Sequence, residues 1–311
     1  MHRFSWYIAI FPRILVLGIL LCGCSRAPSN TSQRLFVVSP ETGLLQVYAI
    51  TATGDDKPLT TIKEKAPDKP MDVAVDATGE AFIANENANI RVYGPRPDGK
   101  YELVRNYEGS NTRLRTPVAI AVNRAGSFYV ADPAGGHGRV EWFSGGANGN
   151  LVPDRVLAGP STGIIDPRGV ALDGSGRLFV ADYASNRILV FDSNAEGDAT
   201  PLATITGLHQ PAHIAVDDVL TVYVVEQADN AIAMLSSTGP ESWSPPVTIT
   251  SKSLGGPTGV AVDATSEIAA SAVGGVMFLA PNSNGKVDPL RILRGPSPMN
   301  PSGIAIYQAG S

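Results

Sequence analysis

Pro167-Arg-Gly-Val-Ala-Leu-Asp173-Gly-Ser-Gly-Arg-Leu178-Phe-Val-Ala-Asp182-Tyr-Ala-Ser-Asn186-Arg-Ile-Leu-Val-Phe191 is the stretch that decides the fold. Val170 to Leu172 is a short apolar run, and Asp173 to Gly176 is a turn of residues that tolerate positive φ. Leu178 to Ala181 is a second apolar run, closed by the polar Asp182 to Asn186, and Arg187 to Phe191 is a third. After the loop Asp192 to Asp198, a fourth run covers Pro201 to Ile205. Short runs bounded by turn clusters, with no 3.6-residue periodicity between them, predict one antiparallel four-stranded sheet.

The opening phrase recurs. Pro70-Met-Asp-Val-Ala-Val-Asp76, Pro117-Val-Ala-Ile-Ala-Val-Asn123, Pro211-Ala-His-Ile-Ala-Val-Asp217, Pro257-Thr-Gly-Val-Ala-Val-Asp263 and Pro301-Ser-Gly-Ile-Ala-Ile-Tyr307 are its other copies. Successive prolines are 47, 50, 44, 46 and 44 residues apart, a period that marks a repeat architecture. A lone sheet of this size cannot cover both of its faces, so the copies must stack, and radial stacking of four-stranded sheets gives a β-propeller. Leu35 to Val38, Leu45 to Ile50 and Pro58 to Ile62 make three strands without an opening phrase, whereas Pro301 to Tyr307 is a phrase with nothing after it. Three strands and one complete a blade. The expectation is an all-β, six-bladed propeller over residues 35–307, its ring closed by the C-terminal strand in the first blade, with residues 308–311 as a tail.

The stretch Pro167 to Phe191 resembles an NHL repeat. The resemblance extends over nearly all of residues 35–307, is sharp in the copies at Pro117 and Pro167, and decays elsewhere; Ile268 to Gly275 lacks the aromatic strand and the Asp of the motif. NHL propellers include protein- and RNA-binding modules and amidating lyases, and similar six-bladed folds include lactonases. The resemblance therefore implies the fold and leaves binding and catalysis both open.

Residues 1–23 are different material. Arg3 and Arg13 form a basic leader before the run Ile14 to Leu21, which is too short to span a bilayer and suits a secretory signal. Leu21-Cys22-Gly23-Cys24 resembles a bacterial lipobox, which implies that Cys24 carries lipid and becomes the mature N-terminus. The chain's two cysteines both lie here, so a propeller cut at this point has no thiol chemistry. Ser25 to Gln33 is polar, as a tether should be, and residues 24–34 reach about 36–40 Å when extended. By the same resemblance, Ser25 after the lipidated cysteine implies the outer membrane of a bacterial envelope.

Loss of residues 1–23 removes two arginines and no acid, taking the net charge from −5 to −7. An acidic domain without a Lys/Arg cluster is a poor match to nucleic acid, where phosphate neutralisation dominates affinity. No phosphate loop, Cys/His metal cluster or nucleophile elbow is present in the sequence.

In a propeller the second residue after each opening proline forms a ring near one channel mouth: Asp72, Ala119, Gly169, His213, Gly259 and Gly303. Four small residues suggest room, and Asp72 and His213 fall in opposite blades. Arg168 lies at the adjacent position. A second ring closes the second strand of each blade: Ser39, Asn85, Asp132, Asp182, Glu226 and Ala272. Asp132 and Asp182 read as turn-capping residues, while Asp72, Asn85, Arg168, His213 and Glu226 are the candidates for a binding mouth. Asp72, His213 and Glu226 could hold a divalent cation, Ca²⁺ by its oxygen ligands or Zn²⁺ by its imidazole, although no cofactor is required by the sequence. Trp142 and Trp243 read as packing between blades or as rim residues.

Two functions are compatible with this arrangement. The first is a monomeric, lipid-anchored envelope propeller that binds a protein, peptide or glycan at the mouth without transforming it. The alternative is a metal-dependent hydrolase or lyase, lactonase-like or amidating-lyase-like, at the same mouth.

Overall fold

The computed structural model describes residues 33–65, 67–133, 136–296 and 299–308, and these form six blades around a central channel. The expected signal segment, the lipidation site Cys24 and the tether up to residue 32 lie outside the described residues. The innermost strands are Pro70–Val75, Ala119–Val122, Pro167–Leu172, Pro211–Val216, Gly259–Val262 and Gly303–Gln308, one from each proline phrase, and all six line the channel. Blade 4 shows the plan: Pro167–Leu172, Leu178–Asp182, Arg187–Phe191 and Ala203–Ile205 lie in that order from the channel outward.

The ring closes as the chain ends predict. Gly303–Gln308 pairs antiparallel with Gln33–Ser39, with Leu35 opposite Ile306, and becomes the inner strand of blade 1. Gln33 Nε2 donates to Gln308 Oε1 at 2.9 Å across this seam.

Side chains of a strand alternate between its two faces, and here both faces are buried. Leu178 and Val180 pack with Ala131 and Val140 of blade 3, while Phe179 and Ala181 pack with Ile214 and Val224 of blade 5. The same division recurs around the ring, and six separate apolar clusters fill the junctions between neighbouring blades. Continuous apolar runs such as Leu178 to Ala181 follow from burial on both sides.

The turns after the inner strands of blades 2 to 6 share a common chemistry. Asp173 Oδ1 accepts the Ser175 and Arg177 N–H groups and the Ser175 hydroxyl. Asp76 and Asp263 repeat all three bonds, and Asn123 and Asp217 repeat the two from the main chain. The residue three positions after the acceptor takes positive φ in each, as Gly79, Gly126, Gly176, Leu220 and Ser266.

A second set of contacts joins blades at their outer strands. The Gly197 N–H of blade 4 donates to the Val156 carbonyl of blade 3 at 2.7 Å, and the Ala158 N–H returns a bond to the Gly197 carbonyl at 2.9 Å. Gly54 of blade 1 repeats this against Ile292 and Arg294 of blade 6, Gly285 of blade 6 pairs with Ile249 of blade 5, and Gly149 of blade 3 donates to Asn106 of blade 2. Blade 5 instead extends a hairpin, Ser237–Gly239 with Ser242–Trp243, whose Trp243 ring meets Phe179 of blade 4 edge-on at 5.7 Å. Between blades 1 and 2, Arg91 forms ion pairs with Glu64, at 2.9 Å, and with Asp68.

Glu141, fully buried in blade 3, is paired with Arg139, yet burial pushes its carboxyl up to about 8. A carboxyl raised in the folded state binds its proton more tightly there than in the unfolded chain. Its contribution is therefore fully present below the ordinary value near 4.5 and is lost as pH rises through about 8. Glu141→Gln, which fixes the neutral form, is expected to melt close to the unsubstituted protein at pH 5 and several degrees above it at pH 9. Calorimetry at the two pH values checks this, with about 2–4 °C corresponding to each kcal/mol.

Candidate functional site

The proline end of the channel is where Asp72 and His213 lie. Both sit beside irregularities in their strands: the register slips between Pro70 and Asp72 and between Pro211 and Ile214, and a third slip re-aims Arg168 between Pro167 and Gly169. Asp72 Oδ1 accepts the Val73 N–H at 2.8 Å, and Oδ2 accepts the Ile120 N–H of blade 3 at 3.0 Å. His213 Nδ1 accepts the Val260 N–H of blade 6 at 3.3 Å. That bond leaves the ring proton on Nε2, which faces Asp72 Oδ1 at 3.1 Å across the channel. The pair closes the channel, and each partner also fastens its own blade to the next one.

The small residues of this ring do not leave the expected room. A Cβ on Gly169 would fall on the Ala212 carbonyl, one on Gly303 would fall on Asp72, and one on Gly259 would crowd Ser271 Oγ. Gly169 and Gly303 stand where neighbouring inner strands converge, and Gly259 where Ser271 of the second strand in its own blade fills the space.

The second ring lies beside the first, with Pro70, Pro167 and Pro211 opposite Asn85, Asp182 and Glu226. Asp182 accepts the Ile165 and Asp166 N–H groups, and Asp132 accepts those of Arg115 and Thr116, each from the loop leading into its blade. Asn85 donates to Asn89 Oδ1 at 2.9 Å. Among the described residues Glu226 accepts the His209 N–H alone, at 2.9 Å, and the next amide, that of Gln210, donates to Asn186 Oδ1 instead. Burial, with the Asp229 charge adding to it, raises the Glu226 carboxyl above the usual range. Arg168 is exposed, with its guanidinium 4.7 Å from the Tyr183 ring centroid and 3.0 Å from Asp166.

Asp72, His213 and Glu226 do not converge as a set. Among the described residues, the group of three whose donor atoms lie within 4.8 Å of one another is His209, Glu226 and Asp229. His209 Nδ1 is 2.7 Å from Asp229 Oδ2, and that hydrogen bond raises the imidazole above its ordinary value. His209 and Asp229 escaped sequence reasoning. The available signal was the substitution of Glu for Asp at 226, with a histidine seventeen residues before it.

The larger hollows lie at the other end of the channel, among the Asp-capped turns. One of about 460 Å³ is lined by Asn123, Arg124, Asp173, Ser175 and Asp218, and a neighbour of about 300 Å³ adds Asp263 and Gln308. Arg124 and Asp218 each follow directly on a turn-capping residue, a column that could have been read alongside the two rings.

With this geometry in hand, comparison with known proteins places the architecture. Residues 165–191 match the NHL repeat. No curated protein matches the chain. A protein of unknown function from Desulfotomaculum acetoxidans superposes with a TM-score of 0.65 at 13% identity, over 89% of this chain and 99% of its own. A chain of a nidogen–laminin complex superposes at 0.66 and 13% identity, over 90% of this chain and 100% of its own. A proposed 6-phosphogluconolactonase from Bacteroides uniformis gives 0.59 at 15% identity, over 85% and 83%. The protein is thus a six-bladed β-propeller in fold with one stretch, residues 165–191, that matches the NHL repeat, and likenesses at this identity extend to the fold alone.

Removing Asp72 tests its structural share. Asp72→Ala leaves the Val73 and Ile120 N–H groups without their acceptor, and urea unfolding is expected to show a loss of about 1–3 kcal/mol. An unchanged midpoint would leave Asp72 free of that role.

Proposed function

We propose that this chain is a lipid-anchored propeller of the bacterial envelope, held at the outer membrane through Cys24, which binds a protein, peptide or glycan at the proline end of its channel without catalysis. The observation that carries the reading is the state of the polar groups there. Asp72, Asp132 and Asp182 each accept main-chain N–H groups and also contact His213, Arg139 and Ser185 respectively, so the polar groups of this end are held in a pre-formed surface. Rigid surfaces bind without the ordering entropy that weakens flexible ones. The nidogen–laminin complex contains a propeller of this fold within a protein assembly, which is consistent with such a use.

Polarity supports the choice of end. Gln33, where the described chain begins, bonds to Gln308, which lines a hollow at the turn end. A tether from Cys24 reaches the propeller on that side, so the end bearing Arg168, Tyr183, His209 and Asp229 is presented away from the bilayer. The alternative hydrolase or lyase at Asp72, His213 and Glu226 is less favoured, because those three side chains do not meet around one point.

The test has two arms. Cys24→Ser is expected to move the protein from the membrane fraction to the soluble fraction. A photo-crosslinking residue at position 168 in living cells is expected to trap a partner, while one at position 219, on the turn end, traps none. The reverse pattern would move the binding face to the other end, and silence at both positions would remove the binding reading.

A further inference from the structure

We propose that His209, Glu226 and Asp229 form a binding site for one zinc ion on the proline end of blade 5. His209 precedes the inner strand Pro211–Val216, Glu226 ends the strand Val222–Glu226, and Asp229 lies in the turn that follows. Their donor atoms already lie within 4.8 Å of one another. The site is separate from the Asp72–His213 pair that closes the channel.

Glu226 supplies the second observation. Its side chain belongs to a column in which Asp132 and Asp182 each accept two successive main-chain N–H groups. One methylene longer, and relieved of the Gln210 amide by Asn186, Glu226 keeps a single such bond. Its second carboxylate oxygen takes no main-chain N–H, on a residue that is only 2% exposed. A largely buried carboxylate that takes one main-chain N–H, held next to a second carboxylate and an imidazole, offers converging donors to a cation. The side chains of His209 and Asp229 are 64% and 42% exposed, so both can adjust around an ion that Glu226 holds from below.

The donor set selects the metal. One imidazole and two carboxylates match zinc, whereas calcium requires six to eight oxygens, which this corner does not offer. Three protein ligands also leave a fourth tetrahedral position open toward solvent, where a water or an oxygen of a bound molecule can sit. The proposal does not rest on partner binding, since zinc uptake is measured with the protein alone.

The full chain in detergent, stripped with chelator and dialysed, is titrated with zinc chloride by calorimetry. The expected result is one zinc per chain, with affinity reduced at least tenfold in His209→Ala, in Asp229→Asn and in Glu226→Gln. Glu226→Gln retains an oxygen for the His209 N–H, so its fold is preserved, and unchanged far-UV dichroism checks this. His137→Ala, which alters another described histidine away from the site, is expected to bind as the unsubstituted chain does. Absence of binding, affinity that survives His209→Ala and Asp229→Asn, or calcium binding as tight as zinc would each overturn the proposal.

Discussion

Neither face of a four-stranded blade can be covered from within that blade, and most of this structure follows from that constraint. Leu178 and Phe179 are neighbours in the chain, but each is buried by a different blade. The apolar core is consequently divided among six junctions, and every junction needs residues from two repeats. Closure by Gly303–Gln308 is part of the same requirement. Without it blade 1 would lack its inner strand, and the clusters on both of its sides would lose members such as Ile304 and Ala305.

The channel inherits its chemistry from this packing. Inner strands that converge at the proline end leave space only for glycine at Gly169 and Gly303, and Ser271 of the adjoining strand does the same at Gly259. The two polar side chains in that ring, Asp72 and His213, use the crowding by bonding to each other and to the main chain of the following blades. Around this pair Arg168, at the start of its inner strand, stacks on Tyr183, and His209 meets Asp229. The channel is thus tied by hydrogen bonds between blades, and His209 and Asp229 lie on the loops around it, as is usual for rigid scaffolds that carry binding groups on loops.

The fold was legible because its determinants are local and repeated. A proline phrase, a capping Asp or Asn and a positive-φ position three residues later announce each inner hairpin, and the phrase count with the incomplete ends yields the number of blades. The opposition of Asp72 and His213 followed from ring order alone. The function of the small ring residues did not, because glycine is compatible with either an open space or a close approach. Only the neighbouring carbonyl of Ala212 decides between them. The contacts of Gly54, Gly149, Gly197 and Gly285 escaped for a related reason: each lies in a polar loop that reads as an ordinary turn, and its partner belongs to another repeat. His209 and Asp229 were hidden in the same way, since loops around a column carry no periodic signal of their own.

Those glycine loops give the ring a direction. Each reaches back over the outer strand of the preceding blade, as tiles overlap on a roof, and the hairpin bearing Trp243 does so with a different device. An open row of repeats can fray from its ends, one unit at a time, because a terminal repeat has a single neighbour. In an overlapping closed circle no blade is terminal, and freeing one means releasing the blade that covers it as well as the one it covers. The propeller is therefore built to come apart in one cooperative event, and a molecule gripping any arc of its rim holds the whole circle.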